Sequence, residues 1–273
     1  MSSAEAAAPA PTSGELMGHP RPLWMLFMTE FWERFSFYGM RWALTLYIVA
    51  QFFGGDKGSG HEAYAGRTYG AFLALVYATS IFGGYAADKL IGYQRSILLG
   101  ALITAAGLFM IVVPNQEIFL MGLAVVITGN GLFKPNISTM VGQLYQQGDP
   151  RRDSGFTIFY MGINLGAMIA PLATGWLASQ LFGTDEMPAY KAVFICTAIG
   201  MIVSFLWFWF GRRGLGEIGR PPKGTGMGQM IMVLVGCAIC APVIYFLLNL
   251  GGGTYGDIPA LAFTQAIGGP LQA

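Results

Sequence analysis

Apolar residues along this chain gather into seven long runs, separated by short segments rich in polar residues, glycine or proline, such as residues 54–58 and 148–150. Such clusters are typical of turns and loops. Each run is long enough to cross the hydrocarbon core of a bilayer as a helix, which takes about 20 residues. The pattern predicts membrane-spanning helices over residues 23–53, 68–86, 95–113, 117–144, 155–181, 190–210 and 227–250.

The composition agrees with this interpretation. Of the 273 residues, 54% are hydrophobic and 11% are charged, whereas a soluble domain has about 25% charged residues. The formal net charge of +1 gives no indication of a nucleic-acid partner. We therefore predict an all-α membrane protein whose main surroundings are the lipid bilayer, with no nucleic acid bound.

Basic residues outside the apolar runs are distributed unevenly between the two predicted sides of the membrane. With the N-terminus inside, nine fall on the cytoplasmic side, namely Arg21, Lys89, Arg95, Arg151, Arg152, Arg212, Arg213, Arg220 and Lys223. The opposite side has three, namely Lys57, Arg67 and Lys191. Because an excess of Lys and Arg marks cytoplasmic loops, we predict a multi-pass protein of the cytoplasmic (inner) membrane with a cytoplasmic N-terminus.

The segments outside the runs complete the predicted organisation. Residues 1–22 lack the features of a signal peptide, and we expect a disordered cytoplasmic tail. Two sets of three spans over residues 23–210 are typical of one half of a larger transporter. A cytoplasmic linker (211–226), an accessory transmembrane helix (227–250) and a truncated tail (251–273) follow. We therefore expect the chain to be the N-terminal portion of a longer protein, whose C-terminal half is missing.

The first run carries charges that a bilayer does not tolerate without a function. Glu30, Glu33, Arg34 and Arg41 lie within it, and a charge at membrane depth costs at least about 2.5 kcal/mol. On an ideal helix these residues and Tyr38 fall within an arc of about 140°. One helix face therefore presents carboxylates, guanidinium groups and a phenol to a cavity. This pattern predicts coupled transport of a charged solute.

Residues 84–95, between the second and third runs, read G-Y-A-A-D-K-L-I-G-Y-Q-R. This stretch resembles the loop motif of the major facilitator superfamily, G-x-x-x-D-[RK]-x-x-G-x-x-R. The resemblance implies a gating role for Asp88 and Arg95, in which Asp88 binds a helix N-terminus or a basic partner in one conformation and releases it in the other. An ordinary charged loop that fixes topology is the alternative.

Three further stretches, on the first, fourth and fifth predicted spans, carry a more specific resemblance. They read E-F-W-E-R-F-S-F-Y-G at residues 30–39, G-L-F-K-P-N-I-S at 131–138 and F-Y-M-G-I-N-L-G at 159–166. They resemble the E-x-x-E-R-F-x-Y-Y motif, the fourth-helix lysine segment and the F-Y-x-x-I-N-x-G signature of the proton-dependent oligopeptide transporter family, also called the peptide transporter family. The resemblance implies the N-terminal six-helix bundle of a major facilitator transporter plus one accessory helix.

The resemblance also implies roles for individual residues. Proton coupling falls to Glu30, Glu33 and Arg34. Substrate binding falls to Arg34, Arg41, Lys134, Tyr38, Tyr77 and Asn164, of which Tyr77 is placed only by its spacing from Asp88. The residues themselves agree: a peptide carboxylate suits cationic donors in a low-dielectric cavity, and protonating a glutamate would free such a donor from its pairing. Phe37 departs from the motif, which has a tyrosine there, so we expect altered affinity or side-chain preference.

Several alternatives stay open at this point. The cluster of Glu30, Glu33 and Arg34 could fix helix packing, Lys134 could reach an interface, and Asn164 could make an interhelical hydrogen bond. The preferred function is proton-coupled symport of di- and tripeptides by alternating access, with protons as the coupling ion and no cofactor. A transporter of nitrate or another small anion, and a non-transporting membrane peptide sensor, are the alternatives. Because the sequence has no metal-ligand cluster, nucleotide loop or activated nucleophile, an enzyme is not expected.

Overall fold

A computed structural model describes residues 14–55, 59–184, 188–222 and 224–252. Two short antiparallel strands come first, β1 (Glu15–Leu16) and β2 (His19–Pro20). The helices follow as α1 (Arg21–Phe52), α2 (Ser59–Ala86), α3 (Tyr93–Ile111), α4 (Gln116–Gln143), α5 (Arg152–Trp176), α6 (Tyr190–Gly211) and α7 (Met227–Gly252). Each predicted span thus corresponds to one helix of the described chain.

The helix ends follow local chemistry. The side chain of Asn115 accepts a hydrogen bond from the backbone of Ile118 and caps the start of α4. Both α2 and α5 continue into one π-helical turn, at Ala87–Ile91 and Leu177–Leu181. The first of these turns ends at Gly92, whose φ of 77° favours glycine.

One predicted boundary and the apolar character of one predicted span differ from the structure. The second helix begins at Ser59 rather than at residue 68, because its polar first turns lack the apolar content by which the span was recognised. Six described helices are long and apolar enough to cross a membrane. The 32-residue α1 is not one of these, since Glu30, Glu33, Arg34 and Arg41 interrupt its apolar run.

Small residues bring the helices of the bundle into close contact. An added Cβ at Gly100 of α3 would lie 2.6 Å from the carbonyl oxygen of Gly129 of α4, and one at Gly107 would lie 2.7 Å from that of Gly122. Such contacts let backbones approach where lipid provides no hydrophobic driving force. Helix α1 packs against α5 and α6, and α4 packs between α2 and α3. Helix α7 packs on α2 and α4, with most of its side chains exposed.

The prediction of a disordered tail over residues 1–22 is wrong for residues 14–22, and residues 1–13 lie outside the described chain. Strands β1 and β2 form a hairpin that contacts the α4–α5 loop. Arg151 donates hydrogen bonds to the Glu15 carboxylate at 2.6 Å and to the Gly18 carbonyl at 3.2 Å. The His19 ring lies 2.9 Å from the Tyr145 hydroxyl. These contacts, distant in sequence, have no signature in local periodicity.

The segment predicted as a linker, residues 211–226, is packed against the bundle. It begins at the end of α6 and continues in a short 3₁₀ turn, Arg212–Leu215, with Leu215 and Ile218 buried. The Gln94 side chain donates to the Ile218 carbonyl at 2.7 Å, and the Gln94 backbone donates to the Gly219 carbonyl at 2.9 Å. The linker is therefore fixed to the start of α3. Of the predicted tail, residues 253–273 lie outside the described chain.

Candidate functional site

The charged residues of α1 form a buried cluster at the centre of the bundle. The Nε atom of Arg34 lies 3.0 Å from a carboxylate oxygen of Glu30, one helical turn away, and also donates to Glu33. The exposed fraction is 3% for Glu30, 1% for Glu33 and 4% for Arg34. Two carboxylates therefore share one guanidinium group in surroundings with little water, where charges interact strongly.

Asn130 of α4 is a member of this cluster that the sequence analysis missed. Its Nδ2 donates to Glu33 Oε1 at 2.8 Å, and the residue is buried. The available signal was a polar residue inside an apolar span, four positions before Lys134 and hence on the same helix face. This hydrogen bond ties the carboxylate of α1 to α4.

Three buried atoms of the cluster have no hydrogen-bond partner among the described residues, namely Glu30 Oε2, Arg34 Nη2 and Asn130 Oδ1. An unsatisfied buried polar atom is costly, and such atoms are few in folded proteins. A cluster that served packing alone would be expected to satisfy them. Within the described chain, the cluster therefore keeps a carboxylate oxygen and a guanidinium nitrogen available to a further partner.

Arg41 lies between two aromatic side chains. It donates to the hydroxyl of Tyr69 of α2, and its guanidinium carbon is 5.8 Å from the Tyr38 ring centroid and 5.5 Å from that of Tyr69. These distances are those of cation–π contacts. The structure thus brings together Arg41 and Tyr38, as expected for one helix face, and adds Tyr69, which the sequence did not indicate.

Lys134 and Tyr77 come from different helices and meet. The Nζ atom of Lys134 lies 4.2 Å from the centroid of the Tyr77 ring. The lysine is half-buried and Tyr77 is exposed. This arrangement favours a role in the charged site over a lysine that reaches an interface.

Asn164 does not join this cluster. It is exposed on α5 and makes no side-chain hydrogen bond within the described chain. The glycines on either side of it make the helix contact instead: an added Cβ at Gly166 would lie 2.6 Å from the Phe31 carbonyl of α1. The alternative of an interhelical hydrogen bond from Asn164 is therefore not observed.

Phe37, where the motif has a tyrosine, lies against the charged cluster. Its ring stacks on Phe72 with centroids 6.2 Å apart, and the Arg34 guanidinium carbon is 5.1 Å from its centroid. The residue is buried. Its apolar edge therefore takes the place at which the motif carries a hydroxyl group.

The two predicted gating residues lie apart from the buried cluster, Asp88 on the turn after α2 and Arg95 in the first turn of α3. Asp88 accepts a hydrogen bond from Tyr93, and both Asp88 and Arg95 are exposed. No ion pair joins these two residues in the structure as described. Their position next to the docked residues 218–221 places them at one end of the bundle.

Comparisons with known proteins place these features in a wider group. A sequence model of the POT family matches residues 94–243. A di-/tripeptide transporter of Lactococcus lactis subsp. lactis is 39% identical over 244 residues, which cover 87% of this chain and 48% of that protein. The chain thus spans about half the length of the curated relatives it matches.

Solved structures give the same result. The crystal structure of a POT peptide transporter mutant in complex with alafosfalin is 36% identical, with a TM-score of 0.69 over 86% of this chain and 48% of that one. A POT peptide transporter in complex with sulfate is 33% identical, with a TM-score of 0.71 over 96% of this chain and 52% of that one.

Proposed function

The chain belongs to the POT family, and from that premise we propose that it forms the proton-coupling and carboxylate-binding half of a symporter for di- and tripeptides. The observation that carries this proposal is the buried cluster of Glu30, Glu33 and Arg34, with its unpaired carboxylate oxygen and guanidinium nitrogen. Arg41 lies on the same helix, and Lys134 lies on α4. The activity belongs to transport, and no enzymatic step is proposed.

Charge balance supplies the coupling. With both glutamates ionised, their charges are balanced by those of Arg34 and Lys134. Binding one proton to a glutamate leaves this group of residues with one net positive charge, and the carboxylate of a peptide neutralises it. Each ligand therefore favours the binding of the other, which is the thermodynamic requirement for coupled transport.

Arg34 connects the two events through its geometry. Its Nε is engaged by both glutamates, whereas its Nη2 is free of protein partners in the described structure. Once a glutamate is protonated, its hold on the guanidinium group weakens, and Arg34 can turn its donors towards a substrate carboxylate. Bidentate arginine–carboxylate pairs are among the strongest hydrogen-bonded contacts in proteins.

We further propose that the chain lies in the inner membrane with its N-terminus in the cytoplasm. The hairpin, the α2–α3 turn, the α4–α5 loop and the docked linker share one end of the bundle, and most of the basic residues outside the spans lie there. Alternating access would need a second bundle outside these 273 residues, against which this one rocks. Asp88 and Arg95, at the same end, are the proposed gating residues.

Uptake of labelled dialanine into liposomes that contain the full-length protein of the native gene tests the function. An inward proton gradient is expected to drive accumulation of dialanine above its external concentration. Liposomes with the gradient collapsed by a protonophore are the control. Uptake that is the same with and without the gradient would contradict proton coupling.

A small anion is a second candidate substrate, because a 33% identical relative was crystallised in complex with sulfate and Arg34, Arg41 and Lys134 are cations that could bind one. Competition separates the candidates. Excess nitrate is expected to leave the uptake of labelled dialanine unchanged. Excess unlabelled dialanine is expected to abolish it. Nitrate that is itself accumulated, with no uptake of dialanine, would select the anion instead.

A further inference from the structure

A small cavity lies next to Glu33 and is lined by residues of α1, α3, α4 and α6. The volume within it that the centre of a water molecule can occupy is about 10 Å³. This is close to the minimum that one water needs. Its wall includes Glu33, Ser36, Thr104, Leu108, Asn130 and Met201.

Two residues of the cavity wall each carry a polar atom that lacks a protein partner in the described chain. Thr104 Oγ1 and Asn130 Oδ1 are buried without a hydrogen bond within the described chain, and the exposed fractions of the two residues are 4% and 1%. They come from neighbouring helices, α3 and α4. Buried waters typically bind such otherwise unsatisfied groups, and they need two to four polar partners.

We propose that this cavity binds one water molecule between Thr104 and Asn130, and that Asn130 is a positioning residue for the proton-carrying carboxylate of Glu33. The part of the proposal that concerns protons rests on the proposed symport function. The water site itself rests on the geometry of the cavity.

An asparagine amide suits this position because it can serve both states of Glu33. When the carboxylate is ionised, Nδ2 donates to Oε1, as observed at 2.8 Å. When a proton binds to Oε1, a half-turn of the amide presents Oδ1 as the acceptor. When Oδ1 of Asn130 faces the cavity, the water donates a hydrogen bond to it. When Nδ2 faces the cavity, the water accepts a hydrogen bond from it. The proton comes from the aqueous side and leaves again, so neither the water nor the amide is consumed.

The charged groups around Glu33 are few. Glu30 and Arg34 lie on its own helix, and Lys134 lies on α4. The other helices contribute neutral side chains to the cavity wall, Thr104 and Leu108 from α3 and Met201 from α6. A substitution of Asn130 should therefore change the proton affinity of Glu33 directly.

The water site predicts the sign of a stability change. Thr104→Val replaces the hydroxyl with a methyl group of similar size. If the hydroxyl binds a water, the full-length protein in detergent should lose a few degrees of melting temperature, and Thr104→Ser should retain most of it. If the cavity is dry, removing an unsatisfied hydroxyl should raise the melting temperature, which would overturn the proposal.

Thr128→Val is the matched control, because the Thr128 hydroxyl of α4 already donates to the Ala124 carbonyl at 2.9 Å and lies off the cavity wall. The loss for Thr128→Val gives the cost of removing a buried hydroxyl that is already hydrogen-bonded, and the change expected for Thr104→Val has the same sign. In a crystal structure of the full-length protein, density within about 3.2 Å of both Thr104 Oγ1 and Asn130 Oδ1 is the expected direct result.

The pH profile of dialanine uptake tests the role of Asn130. Asn130→Leu removes the donor that stabilises ionised Glu33, so the pH of half-maximal gradient-driven uptake should move about one unit towards alkaline values. Asn130→Asp should move it in the same direction, because it places a second carboxylate beside the first. Thr128→Val should leave the profile in place.

The two failures are distinguishable. If the wild-type protein shows no proton-driven uptake, the proposed function fails, while the Thr104 variants still decide the water site. If uptake is proton-driven but Asn130→Leu keeps the wild-type profile, Asn130 has no positioning role and that part of the proposal is overturned.

Discussion

Arg34 shares one guanidinium group between Glu30 and Glu33, and two of these three side chains keep a buried atom unpaired in the described structure. The sequence indicated these residues because charges inside an apolar run stand out, and their spacing places them on one helix face. It held only a weak signal for Asn130, a polar residue four positions before Lys134, and none for Tyr69. A neutral polar residue in a span is common, and only the packing of α4 and α2 against α1 shows which one meets a charge.

Glu33→Gln should separate proton coupling from peptide binding. The substitution keeps the shape of the side chain and removes the group that can bind a proton. Gradient-driven accumulation of dialanine should fall by at least about tenfold, within the usual range of a coupling free energy, while exchange of dialanine without a gradient falls much less.

Both activities are measured in the same liposomes. Glu217→Gln is the control, since Glu217 is an exposed carboxylate paired with Arg220. Equal loss of accumulation and exchange in Glu33→Gln would assign Glu33 to packing.

Tyr69→Phe should weaken substrate binding through Arg41. The hydroxyl of Tyr69 accepts a hydrogen bond from Arg41, and a hydrogen bond to a charged group is typically worth about 1.5–3 kcal/mol. Without it the guanidinium group loses its fixed orientation, so the KM for dialanine should rise roughly tenfold with little change in the pH profile. The exposed Tyr85 of the same helix provides the control variant Tyr85→Phe. An unchanged KM would mean that the orientation of Arg41 by Tyr69 does not contribute to substrate binding.

At the scale of elements, the seven helices were predictable because apolar length is a strong signal in a membrane protein. The hairpin of β1 and β2 and the docking of residues 212–222 were not. Both are short and polar, and both are stabilised by contacts with the α4–α5 loop and with α3 that no local pattern contains. Hydropathy likewise could not show that glycines set the distance between α3 and α4.

Gly107→Ala should lower the stability of the bundle. An added Cβ would lie 2.7 Å from both the Gly122 carbonyl oxygen and the Val126 nitrogen, which are backbone atoms that cannot move aside. Overpacking of this kind typically costs about 1–3 kcal/mol, although alanine is the better helix former by about 0.5–1 kcal/mol. Thermal unfolding of the full-length protein in detergent measures the change.

Gly236→Ala is the comparison, because nothing lies within 4 Å of a Cβ at that position of α7. It should be neutral or slightly stabilising. A stable Gly107→Ala variant would mean that α3 and α4 can separate at low cost.

Docking of the N-terminal hairpin should depend on Arg151 and on pH in a defined direction. Hydrogen bonds from Arg151 hold the pKa of Asp149 below its ordinary value. A lowered folded-state pKa stabilises the folded α4–α5 loop above the unfolded pKa, and this contribution is lost as the pH falls through the folded-state value. Asp149 should therefore hold Arg151 in position for the hairpin at neutral and mildly acidic pH, and release it only well below about pH 4.

Arg151→Gln should release the hairpin at neutral pH. Hydrogen–deuterium exchange of residues 14–20 measures both effects, and Arg213→Gln in the linker is the control. Slow exchange in Arg151→Gln at neutral pH would show that the remaining contacts, such as that of His19 with Tyr145, suffice for docking.

At the scale of the whole molecule, the predicted family and the all-α fold of an N-terminal six-helix bundle with an accessory helix are confirmed. Within the described bundle, Arg34 and Arg41 lie on α1 and Lys134 on α4. The chain covers 48% of the length of the Lactococcus relative. The exposed face of α2 that carries Tyr77, Ile81 and Tyr85 is where a second bundle would be expected to close the site.

The isolated 273-residue chain in detergent should therefore bind dialanine weakly, with a Kd above about 1 mM, because it supplies contacts for one end of the peptide only. Calorimetry with the full-length protein as the reference measures the difference. Submicromolar binding by the isolated chain would place the complete peptide site within this half.

The docked linker between α6 and α7 has a mechanical consequence. Residues 212–222 are fixed to the start of α3, and α7 is seated on α2 and α4. A segment held in this way attaches α7 rigidly to the bundle and leaves no hinge between them. Helix α7 should therefore move with the bundle as one rigid body when the bundle rocks. A spin label on α7 would then keep a constant distance to one on α4 throughout the transport cycle, while both move relative to the rest of the transporter.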